Sequence, residues 1–76
     1  MNWHKRCKRR ETATGTLRRW PAHNSPYAVV EARSALGLPT RWLAIAQVQT
    51  GEYVISRHRT KARAVRACEL HQRGRN

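Results

Sequence analysis

Apolar positions along this chain cluster after residue 26. Tyr27-Ala28-Val29-Val30-Glu31-Ala32-Arg33 is rich in strand-forming residues and short enough for one strand. Ser34 to Thr40, with Gly37 and Pro39, reads as a loop. Arg41 to Gln49 and Glu52 to His58 are two further β-rich runs around Thr50-Gly51, the pattern of a β-hairpin over about 41–58. With Thr50 and Gly51 as the loop, Val48 faces Tyr53 and Ala46 faces Ile55. One hairpin face then carries Trp42, Ala44, Ala46, Val48, Tyr53 and Ile55, and is expected on the core. The other carries Leu43, Ile45, Gln47, Val54, Ser56 and His58. Thr60 is an N-cap for a final helix over about 61–72. At 100° per residue, Ala64, Ala67, Cys68 and His71 gather on one side of it.

Residues 1–26 show no apolar periodicity. Thr12 to Thr16 reads as turn or coil, and Pro21 and Pro26 interrupt any helix. The expectation is an α+β protein of two parts. Residues 1–26 form a flexible basic arm. Residues 27–76 form a β-β-β-α domain, a three-stranded antiparallel sheet packed by one helix, with Tyr27 to Arg33 as an exposed edge.

Composition sharpens this picture. The chain has 76 residues, 16 Lys and Arg against 4 Glu and no Asp, and a formal net charge of +12. Residues 1–20 hold seven of the cations and one acid; the other nine cations and three acids follow. The longest apolar run, Trp42 to Ala46, is far too short to span a membrane. No apolar stretch follows the basic N-terminus, so a secretory leader is not expected and a cytoplasmic location is. The four glutamates make no carboxylate pair, and no serine sits in a nucleophile elbow. The glycines are scattered rather than gathered into a phosphate loop. No enzymatic activity and no cofactor are expected.

The cysteines allow one piece of metal chemistry. His4-Lys5-Arg6-Cys7 and Cys68-Glu69-Leu70-His71 would supply four zinc ligands, and residues 68 and 71 share a helix face. The sixty intervening residues argue against such a site. The plainer reading makes Cys68 a small core residue and Cys7 a free thiol, without metal.

A +12 chain seeks a polyanion. The cations group at Lys5, Arg6, Lys8, Arg9, Arg10, Arg18 and Arg19, and again at Arg57, Arg59, Lys61, Arg63 and Arg66. Both groups are candidate phosphate contacts on DNA or RNA. Trp3 and Trp20 bracket the first and are candidates for base stacking. The alternative partner is an acidic protein surface, and the edge strand or the second hairpin face offers a homodimer contact.

Strand, hairpin, and a helix opening Thr60-Lys61-Ala62-Arg63-Ala64-Val65-Arg66-Ala67-Cys68 resemble the second half of a double-stranded-RNA-binding domain. That resemblance implies Lys61 as a phosphate-binding lysine and Ala67-Cys68 on the inward face. Ala62 and Val65 stand where that family places lysines. Residues 41–72 are also similar to the three-stranded DNA-binding domain of phage and transposon integrases. In size and lack of catalytic motifs the chain looks like short phage- or plasmid-encoded proteins, anti-CRISPR inhibitors among them.

Overall fold

The computed structural model describes residues 2–74. It contains five strands and one helix: β1 (Lys8–Thr12), β2 (Gly15–Pro21), β3 (Tyr27–Ser34), β4 (Arg41–Val48), β5 (Gly51–His58) and α1 (Lys61–Gly74). The strands form one antiparallel sheet in the order β1-β2-β3-β4-β5. The α+β class and the hairpin over 41–58 are as the sequence indicates. The three-stranded sheet is not: two of the five strands come from the segment expected to be a loose arm.

That segment is sheet because its partners are backbone groups, which need no apolar pattern. Ala13 and Thr14 make a two-residue turn, with Thr12 facing Gly15 and Lys8 facing Arg19. β2 continues onto β3 from Gly15↔Ser34 to Pro21↔Ala28. Even the residues before β1 are tied. Trp3 bridges Ala22, the His4 N–H donates to the Pro21 carbonyl (3.0 Å), and the His23 N–H donates to the Asn2 carbonyl (2.7 Å). Tyr27 to Arg33 is therefore no edge. It is the central strand, and the homodimer expected through it is closed off by β2.

The β4–β5 register also differs from expectation. Gln49 and Thr50 are the turn, Val48 faces Gly51 and Ala46 faces Tyr53. A bulge follows: Ile45 faces Val54 but Ala44 faces Ser56, leaving Ile55 unopposed. Tyr53, opposite Ala46, stays toward the core as expected, and the bulge keeps Ile55 there but brings Ser56 and His58 to that side as well.

α1 packs across β3, β4 and β5 on one face. Its buried residues are Ala64 and Cys68, which meet Tyr27, Val29, Ala44 and Ala46. Alanine on both surfaces lets the helix axis approach closely. Thr60 caps the helix, its Oγ1 accepting from the Arg63 N–H at 3.3 Å. At the other end, His71 lies between two tyrosines. Its Nδ1 is 2.7 Å from the Tyr27 hydroxyl and its Nε2 is 3.1 Å from the Tyr53 hydroxyl.

Gly15 is where the segment 2–21 joins the core sheet. A Cβ there would lie 1.8 Å from the Arg33 carbonyl oxygen, a backbone atom held by the ladder. Gly15→Ala is expected to destabilise by about 3 kcal/mol, at the upper end for overpacking. Thermal unfolding followed by circular dichroism checks this; an unchanged midpoint would contradict the packing.

Candidate nucleic-acid interface

Strand parity sorts the side chains onto two faces. The helix-side face carries Arg9 and Glu11 of β1, Arg18 and Trp20 of β2, Glu31 and Arg33 of β3, and Trp42 of β4. The opposite face, which α1 does not touch, carries Lys8, Arg10, Leu17, Arg19, Val30, Arg41, Leu43, Ile45, Val54 and Arg57.

This open face has an aliphatic floor and a cationic rim. Leu17, Val30, Leu43 and Ile45 line a hollow of about 370 Å3, with Lys8, Arg10 and Arg19 around it. Val30 and Ile45 are only 6% and 8% exposed although no second layer covers them. Lys8, Arg10 and Arg19 line the same hollow, and the hydrocarbon stems of such side chains cover apolar surface beside them. Arg19 of β2 reaches Glu52 of β5, its Nη1 donating to Oε2 at 3.0 Å. Arg41 and Arg57 stand farther along the same face, both exposed. Glu52 is the one acid on it among the described residues.

The helix-side face treats its charges differently. Glu31 is 5% exposed and sits between Arg18 Nε (3.7 Å) and Arg33 Nε (3.4 Å). Arg9 Nε donates to Glu11 Oε1 at 2.8 Å, and the Thr16 hydroxyl donates to Glu11 Oε2 at 3.0 Å. Three arginines thus share two carboxylates, and Arg33, paired with Glu31 at its Nε, stays 57% exposed. Lys61 Nζ lies 4.2 Å from the centroid of the Trp20 ring. Trp20 in turn packs on Trp42, with centroids 5.5 Å apart.

The expected contact residues are thus divided by the fold. Lys8, Arg10, Arg19 and Arg57 share the open face. Arg9 and Arg18 point to the other side. Arg63 and Arg66 line a separate shallow hollow with His58 and Leu70, and Arg59 is exposed in the turn before α1. Lys5 and Arg6 are exposed between the Trp3 bridge and β1. Trp3 packs against the core and Trp20 against Trp42, so neither expected stacking residue stands free. Arg41 was not singled out from sequence. Its parity with Leu43 and Ile45 in one strand was the available signal.

The four residues weighed as zinc ligands do not converge. Among the described residues no group of three or more His, Cys or acidic side chains is placed to hold a metal. His4 stacks on His23, centroids 3.7 Å apart, while His71 is held by its two tyrosines. Cys7 and Cys68 are both free thiols. Cys68 is fully buried on the sheet-facing side of α1, and its Sγ lies 3.8 Å from the Ala28 carbonyl oxygen. No helix among the described residues is long and apolar enough to cross a membrane.

Burial pushes the Cys68 thiol up from its ordinary value near 9 to about 11. The folded state therefore holds this proton more tightly than the unfolded chain. Its contribution is fully present below pH 9 and is lost as pH rises through 11, on the order of 2 kcal/mol. Denaturant titrations across that range are expected to show the loss, and Cys68→Ala to remove it. A thiol reagent at pH 8 is expected to label Cys7 at once and Cys68 only on unfolding. No family model, no curated protein and no solved structure matches this chain.

Proposed function

We propose that this is a small nucleic-acid-binding protein that grips the phosphate backbone with the open face of its sheet. The observation that carries this reading is the separation of charges by the fold. Two of the four glutamates, Glu11 and Glu31, lie on the helix side and pair with arginines there; Glu69 lies on α1. Lys8, Arg10, Arg19, Arg41 and Arg57 remain on the open face against Glu52 alone. Segregated cations beside a shielded aliphatic floor raise the local potential and attract a polyanion. The basic groups at the start of α1, Arg59, Arg63 and Arg66, form a second contact on a different side of the molecule. No catalytic group is assigned.

One observation favours a second reading. The floor is aliphatic and holds no aromatic ring for a base to stack on. An acidic, amphipathic segment of another protein would also satisfy rim and floor together. Retention of a partner by the immobilised protein after nuclease treatment would support that case.

Binding of labelled duplex DNA, duplex RNA and single strands over a salt series tests the leading reading. With about five phosphates neutralised, log K on a duplex is expected to fall with log salt at a slope near −4.5. Arg10→Gln with Arg57→Gln is expected to flatten that slope by about 2. Glu52→Gln, which removes the open face's acid and releases Arg19, is expected to tighten binding. Salt-independent or absent binding to all ligands would overturn the reading. Losses caused only by Arg63→Gln and Arg66→Gln would move the site to the helix.

A further inference from the structure

The segment of residues 35–40, joining β3 to β4, carries the two most exposed large apolar side chains described, Leu36 at 78% and Leu38 at 65%. Water-exposed leucines in pairs on a small domain mark a contact. Their support is built. The Ala35 N–H donates to the Thr14 carbonyl at 2.8 Å, and the Leu36 N–H donates to Ser34 Oγ at 3.0 Å. Gly37, at φ +77°, makes the turn between the leucines, and Pro39 restricts the chain just after them. Arg33 and Arg41 flank the tip, lining with Leu36, Leu38 and Pro39 a hollow of about 440 Å3.

We propose that the Leu36–Leu38 tip is an apolar wedge that inserts between base pairs of a duplex from the minor groove, while Arg33 and Arg41 hold the adjoining phosphates. This rests on the nucleic-acid reading above and adds a mode of action: the protein unstacks and bends what it binds. Charge selects this occupant. A second copy would bring another +12 against the flanking arginines, whereas a duplex offers phosphates to the arginines and base planes to the leucines. Aliphatic side chains driven into a base step unstack it and kink the helix axis, and the bent duplex wraps more protein surface. Arg41 belongs to the open face, so a duplex held there extends past the tip.

The test uses the whole chain with a short duplex carrying 2-aminopurine at a central TA step and a dye pair at its ends. The expected result is a rise in 2-aminopurine fluorescence and a shortened end-to-end distance on binding. L36S/L38S is expected to keep the melting temperature and the salt slope, lose both signals, and bind roughly tenfold more weakly. L36M/L38M is expected to restore them. Duplex bound with unchanged fluorescence, or L36S/L38S behaving as the parent, would overturn the wedge and leave backbone binding standing. Binding to single strands alone would do the same. Loss of self-association in L36S/L38S, with unchanged fluorescence, would assign the tip to a second copy instead. No binding to any nucleic acid would overturn both readings.

Discussion

One helix cannot cover a five-stranded sheet. Five strands span about 19 Å between the outer axes, and a helix with its side chains is about 10 Å across. α1 therefore covers part of one face, over β3, β4 and β5. The opposite face and the β1–β2 side have to be made compatible with water by other means. The arrangement of charge in this molecule follows from that shortfall.

The two uncovered regions solve the problem differently. On the helix side, Glu31 is drawn in between Arg18 and Arg33, and Glu11 takes Arg9 and Thr16. Fixed local charge replaces a missing apolar layer. On the open side, the long cations Lys8, Arg10 and Arg19 share one hollow with Val30 and Ile45. The first pairs three arginines with two carboxylates, and the second leaves five cations with one. A chain at +12 thereby sets five of its cations against Glu52 alone on one surface, next to a loop that exposes two leucines.

The hairpin over 41–58 and the helix were legible because both are half-buried elements. Burial writes itself into the sequence as the unbroken apolar, β-rich run Trp42-Leu43-Ala44-Ile45-Ala46 and as the 64, 67, 68, 71 stripe. β1 was not legible for the same reason. It is an edge strand exposed on both faces, so Lys8-Arg9-Arg10-Glu11-Thr12 carries no alternation at all. β2 is intermediate throughout, and its apolar Leu17 and Trp20 lie on opposite faces. The Thr50-Gly51 turn was misplaced by one residue, and the bulge at Ile55 has no sequence signature to announce it. The candidate site suffered most. Seven cations in the first twenty residues look like one tract, yet in strands they alternate, so Arg9 and Arg10 face opposite ways.

The sequence by itself determined the α+β class, the β4–β5 hairpin, the capped helix with Ala64 and Cys68 inward, and a net charge of +12. These rest on local periodicity and composition, which are readable without neighbours. Only the tertiary structure decided that Lys8–Thr12 and Gly15–Pro21 join the sheet, that Tyr27 to Arg33 lies at its centre, and which cations share a surface. Those depend on which backbone edges meet. Main-chain hydrogen bonds form that pairing, and they are nearly the same for every residue type, so they leave little trace in the order of side chains.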